Sequence, residues 1–361
     1  MLVNRKIFNI FLIFFFAIST NLFSQDFCDQ KLSEAEDKFE LGRFYEIPEL
    51  LSLCLSNGFS KEEKIRAYRL LTITYLYLDY QTKADENYLE LLKLSPEYDV
   101  EENELAELVN HHKKFTTRPY IYLVGKAGFN FTYYHPIYDI SMNNDNDGSQ
   151  TSKSLVGYRF GLGAEFTLIK NLHLGIEGNI VKKDFELTDN QFQLDSMDIG
   201  RVSSHRQTYS ELEVPVYLKY TFFKPKFSPY FLVGVAPSIL LLAKISDSET
   251  GIRNNITNEN EAISPQPDID IYELRRKFNY SLMGGVGLKY KFGINYLTFE
   301  ARYQVSMFNY SDIDRNWDSY SRLGKDLKYP SAYIDDFFRL NNLNFILGFT
   351  YPLYKPRKIT D

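Results

Sequence analysis

The chain has 361 residues, enough for two domains, and carries a net charge of −6 with a pI near 5.6. That acidic balance argues against a nucleic-acid partner. There are only two cysteines, while 28 Tyr and 29 Phe bring the aromatic share to 16%, a composition suited to strands and membrane interfaces.

Residues 1–24 read as a secretory signal peptide: Arg5 and Lys6 give a positive start, and Ile10 to Ile18 form a short apolar run. The run is shorter than the roughly 20 residues of a spanning helix. Cleavage is expected after Ser24. Gln25-Asp26-Phe27 lacks the small residues that would make Cys28 a lipoprotein site. No later stretch is apolar enough for a transmembrane helix, and the mean hydropathy is −0.32. A transmembrane barrel gives that average too, because its apolar and polar residues alternate.

Residues 25–117 read as a helical domain with helices over 28–41, 45–55, 61–78, 83–94 and 101–115. Ser60-Lys61-Glu62-Glu63 and Asp99-Val100-Glu101-Glu102 have the capping-box pattern. Gly58 and Pro96 mark helix ends. Two stretches are alike at a spacing of 37 residues, and the second, with Leu71, Tyr75, Ala84, Tyr88 and Pro96, resembles a tetratricopeptide repeat without its usual Trp and Gly. Such helix pairs offer grooves to protein partners. Tyr68, Tyr75 and Tyr88 are the candidate anchors of such a groove, although packing between helices explains the same rings, and a plain spacer is the other reading. Cys28 starts one helix and Cys54 ends its antiparallel neighbour, so an oxidising compartment would join them. His111-His112, with no Cys or Asp close by, reads as a solvated linker rather than a metal site.

From Tyr120 the apolar period changes from 3.6 to 2. In 154–169, Val156, Tyr158, Phe160, Leu162, Ala164, Phe166 and Leu168 share one face, while Gly157, Arg159, Gly161, Gly163, Glu165 and Thr167 share the other. The split recurs in 211–222 and 297–306. Eight strands follow: 119–133, 154–169, 172–183, 209–222, 229–241, 278–292, 296–308 and 340–353, the fifth being apolar on both faces. Short and long connections alternate strictly, the long ones being 134–153, 184–208, 242–277 and 309–339. In outer-membrane barrels the short turns are periplasmic and the long loops extracellular.

An eight-stranded barrel is only just wide enough for its inward side chains, so the bulky apolar face must point outward to lipid. The Gly-rich face fits inside, where Lys126, Arg159, Glu165, Glu177, Glu211, Glu213, Lys219, Lys289, Glu300 and Arg302 would form ion pairs. Glu211 and Glu213 could be mistaken for a hydrolytic carboxylate pair, but a salt-bridged interior accounts for them. On this reading Leu162→Arg is damaging and Gly163→Ser mild. The Asn-x-Ser/Thr triplets at Asn130 and Asn279 fall inside strands, and the acidic run 143–147 lacks the spacing of a calcium loop.

Three segments carry a family resemblance: Glu211–Tyr220 (ELEVPVYLKY), Ser228–Ser238 (SPYFLVGVAPS) and Gly284–Tyr290 (GGVGLKY). They resemble the PorT-like outer-membrane β-barrel proteins of Bacteroidota over residues 118–353. The resemblance implies an outer-membrane barrel of a family whose members are linked to protein secretion and surface assembly or have no known role, and it transfers no functional residue. The expectation is therefore α plus transmembrane β: a periplasmic TPR-like helical domain, an eight-stranded antiparallel up-and-down barrel over 118–353 in the outer membrane, and a periplasmic tail over 354–361. Outer-membrane lipid and a periplasmic or outer-membrane protein are the expected partners, with no cofactor. The alternative is a small-solute pore or transporter.

Overall fold

A computed structural model describes residues 22–101, 104–138, 149–194, 199–222, 226–254, 259–266, 268–312 and 337–359. Most of the segment expected to be a signal peptide and all of the acidic run 143–147 lie outside them. The chain divides into two compact units, one of residues 1–120 with 354–361 and one of residues 121–353.

The first unit is helical: α1 (Leu22–Glu40), α2 (Ile47–Ser56), α3 (Lys61–Tyr77), α4 (Gln81–Leu94) and α5 (Ala106–His112). None of the described helices is long and apolar enough to cross a membrane. The Ser60 box is formed: the Ser60 hydroxyl accepts from Glu63 N, and the Glu63 carboxylate accepts from Ser60 N. The Asp99 box is not. Asp99 Oδ1 accepts from its neighbour Val100 N, and the last helix begins only at Ala106. Asp competes with helix start by such local bonds.

Cys28 and Cys54 are joined in a disulfide, their Cα atoms 5.6 Å apart. They sit in a core with Leu32, Ala35, Ile47, Leu51 and Leu71. A Cβ at Gly58 would stand 2.5 Å from Cys28 Sγ, and Gly58 has φ +154°, so both space and backbone call for glycine beside the bridge. Replacing both cysteines with alanine should lower the stability of this unit by about 3 kcal/mol, the loop-closure entropy released to the unfolded chain. Melting followed by circular dichroism checks this; unchanged melting under reductant would show that the bridge contributes nothing.

The tail is not free. Residues Arg357–Lys358 (β14) pair antiparallel with Phe115–Thr116 (β1), Ile359 N donates to Lys114 O, and Lys358 pairs with Asp85. His111 is likewise not solvated: it is buried against Tyr88 and Phe115, with Nε2 3.5 Å from Asp85 Oδ1. Burial holds its pKa below the ordinary value, against the opposing pull of Asp85, with Lys114 and Lys358 adding to the depression. The unfolded chain therefore binds this proton more readily than the folded one. The resulting expectation is that the helical unit is at full stability above about pH 6.5 and loses stability as pH falls below it. His111→Phe should flatten that loss in an acid melting series; an unchanged profile would remove His111 as its source.

The second unit is one antiparallel sheet. Its strands are β2 (Pro119–Tyr138), β3 (Ser149–Ser154), β4 (Val156–Ile169), β5 (Leu172–Leu194), β6 (Ile199–Glu213), β7 (Val216–Thr221), β8 (Phe227–Asn254), β9 (Glu259–Gln266), β10 (Ile269–Asp270), β11 (Phe278–Phe292), β12 (Asn295–Ser306) and β13 (Phe337–Tyr354). Hydrogen-bonded order runs β8–β11–β12–β13–β2–β4–β5, and β6 and β7 each pair with both β5 and β8. Gly293, at φ +60°, opens the two-residue β11–β12 turn, as a II′ hairpin requires.

Three expectations are corrected here. Much of the connections 134–153, 184–208 and 242–277 is strand rather than loop, because β5 pairs with β6 out to Leu194–Ile199 and β6 with β8 out to Ile199–Asn254. The strand expected over 209–222 is interrupted at Val214–Pro215, where proline removes a ladder donor, but its alternation continues: Glu213 and Tyr217 are both buried. The doubly apolar fifth strand is resolved by a bulge: Ser210 pairs with Leu242 but Glu211 with Leu240, so Leu241 is the extra residue and Leu241 and Leu242 are both exposed.

Candidate functional site

The faces divide as their alternation requires. Val156, Tyr158, Phe160, Leu162 and Leu168 are exposed, as are Leu218, Leu297 and Phe299. All ten expected interior charges, Lys126, Arg159, Glu165, Glu177, Glu211, Glu213, Lys219, Lys289, Glu300 and Arg302, are buried. A sheet with its ions inside and its large hydrocarbons outside inverts a water-soluble fold, and hydrocarbon as solvent is what makes that arrangement stable.

The buried face is layered. At its centre Lys126 on β2 places Nζ 2.7 Å from both Glu177 on β5 and Glu300 on β12. Arg302 forks onto Glu177 through Nη2 at 2.8 Å and Nη1 at 3.0 Å, while its Nε donates to Glu300 at 2.7 Å. Tyr217 OH lies 2.7 Å from Glu177 and 3.0 Å from Glu165, and Tyr230 OH donates to Glu300 at 2.8 Å. Lys219 pairs with Glu165. A second layer joins Lys183 to Glu211 at 2.8 Å and to Glu213 at 3.3 Å, with Tyr310 OH donating to Glu211. Arg159 donates to Asn344 at 2.8 Å and faces Glu213 at 3.5 Å. Beyond it Tyr134, Phe185, Tyr209 and Phe338 form an aromatic layer, where Arg275 donates from Nε to Tyr209 OH at 2.6 Å.

Glycine is spent on making room for this filling. A Cβ at Gly175 would enter the Tyr217 ring, and one at Gly163 would strike Ile176 O and stand 2.8 Å from Glu177 Cγ. Gly163→Ser is therefore not mild, contrary to the sequence expectation, because the strand partner leaves no space for even one carbon.

Glu211 and Glu213 are each committed to cations, which leaves no free carboxylate pair between them. Among the described residues no group of three His, Cys, Asp or Glu is placed to hold a metal. Tyr217 lies on the inward face that its alternation with Glu211, Glu213 and Lys219 requires, whereas Lys183, Tyr230 and Tyr310 are further interior residues. Parity with Glu177 on the same strand identifies Lys183, whereas nothing local marks Tyr310.

In the helical unit the three candidate anchors separate. Tyr88 is buried, packed edge-on to Tyr98, His111 and Phe115, so it lines no open face. Burial holds its hydroxyl well above the usual tyrosine pKa, and the nearby Tyr98, Asp99 and Glu104 push it the same way. Tyr68 and Tyr75 are half-buried against the disulfide core, and Lys83 stands over Tyr75.

The chain belongs to the outer membrane protein beta-barrel domain family, whose model matches residues 116–312. No curated protein matches it in sequence. Among solved structures it is similar to Neisserial surface protein A, at 10% identity and a TM-score of 0.31, over 64% of this chain and 97% of that one. It is also similar to the outer membrane protein OprG from Pseudomonas aeruginosa, at 11% identity and a TM-score of 0.35, over 65% and 97%. A third is the outer membrane protease OmpT from Escherichia coli, at 9% identity and a TM-score of 0.37, over 66% and 98%. The matched domain is one of the outer membrane.

Proposed function

We propose that the protein is a non-enzymatic, PorT-like outer-membrane barrel that serves as a structural or docking component of an envelope assembly, not as a pore. The observation that carries this is the filled interior: cross-strand ion pairs and tyrosines occupy the space a solute would need. Closure of the sheet into an eight-stranded barrel is supported by the pairing, since each long strand has a hydrogen-bonded neighbour on both sides. In this reading the short turns and the helical unit lie in the periplasm and the long connections outside, the usual orientation of short turns and long loops in outer-membrane barrels supporting it. A cleaved signal over residues 1–24 accounts for export. The helical unit, read as TPR-like, would dock a protein through a surface that includes Tyr68 and Tyr75.

Planar-bilayer recording of the full chain tests the first part. A silent or only flickering membrane is expected, and steady ohmic steps would overturn the plugged reading in favour of a small-solute pore. Photo-crosslinking from Tyr75 in intact envelopes tests the second, with a discrete protein adduct as the expected product.

A further inference from the structure

Among the described residues of the second unit four lysines are buried: Lys126, Lys183, Lys219 and Lys289. The first three each meet a carboxylate. Lys289 does not: among the described residues its ammonium has no acidic partner and stands over two rings, 4.1 Å from the Tyr122 centroid and 3.9 Å from that of Tyr296. Ring faces attract an ammonium but leave its charge unneutralised, and a charge this deeply buried is costly without a counter-ion.

Its surroundings provide no such ion. Lys289 lies at the short-turn end, paired in register with Ser228 and Thr298. The described segments that build this end, 166–176, 214–222, 226–231 and 286–298, contain Lys170, Lys219, Lys226, Lys289 and Lys291 and not one Asp or Glu. The nearest carboxylate of this layer, Glu165, is already taken by Lys219. His173 adds a further nitrogen ring, edge-on to Tyr122 at 5.5 Å. A mouth ringed by lysine and lacking acid raises the local concentration of multivalent anions.

We propose that Lys289 binds a phosphate-class oxyanion at the short-turn mouth of the barrel, with the surrounding lysines drawing it in. This rests on the closed-barrel reading, which defines the mouth. The phosphate is either free in solution or carried by a lipid headgroup, and the two sources share one chemistry.

The test uses the full chain refolded in a maltoside detergent, which has no phosphate of its own. Gel mobility with and without boiling first establishes that the barrel is folded; failure at that step counts against the barrel and not against the anion site. Calorimetric titration with inorganic phosphate should then show saturable one-site binding. Lys289→Met should weaken it on the order of ten- to a hundredfold, the usual size of a lost charge-assisted bond. Lys289→Arg should restore it, and Lys226→Gln, on the rim, should change it by only about twofold. Should the Met variant not fold, Lys289→Gln takes its place. Parallel titrations with glycerol phosphate and with phosphatidic acid in mixed micelles distinguish a soluble from a lipid source. Binding of neither by the folded wild type, or equal binding by the Met or Gln variant, would overturn the proposal.

Discussion

Arg302→Met is expected to cost about 3–5 kcal/mol, the penalty for breaking a buried ion pair from one side. Arg302 is fully buried and serves both Glu177 and Glu300, so its loss leaves two carboxylates to share Lys126 alone. Folding into phosphatidylcholine vesicles across a urea series measures the loss directly. The informative partner is Glu300→Gln. If the four residues act as one network, the double variant removes one charge of each sign and costs less than the two singles together. Additive costs would mean that the pairs are independent and that the interior is filled without being coupled.

Leu162→Arg tests the other face. Leu162 is 75% exposed near the middle of β4, where an arginine at the bilayer midplane should cost about 2–4 kcal/mol. Ile169→Arg, equally outward but at the strand's end beside the short turn, should cost only about 0–1 kcal/mol, because the penalty falls toward the headgroups. Equal costs at the two depths would mean that this face does not meet a bilayer. Gly163→Ser does not serve as a neutral control on this strand, since the packing against Ile176 and Glu177 makes that site intolerant for reasons unrelated to lipid.

The two faces were legible in the sequence because lipid and a narrow interior impose opposite demands at every second residue. Leu162 beside Gly163 and Glu165 carries that message without any structure. The hairpins beyond it were not legible. Thr188 and the polar residues after it belong to β5 and pair with β6 out to Leu194, yet their sequence offers no apolar alternation to announce a strand. Tyr88 was misplaced for a different reason: a helical tyrosine has the same spacing whether it faces a partner or a neighbouring helix, and only the positions of His111 and Phe115 decide. Arg275 lay in what read as loop, and a single arginine announces nothing about the Tyr209 hydroxyl it will meet.

The pairing of β1 with β14 has a bearing on the order of events in biogenesis. Phe115 waits for Lys358, a partner 358 − 115 = 243 positions downstream, so the helical unit lacks its last strand until the whole intervening sheet has been synthesised. Until then β1 presents an unpaired edge, the kind of surface that chaperones and aggregation both act upon. A chain cut short within the barrel would keep that edge open. Its N-terminal unit would thus carry a persistent mark of incompleteness, legible to quality-control proteases in a compartment the missing residues never reached.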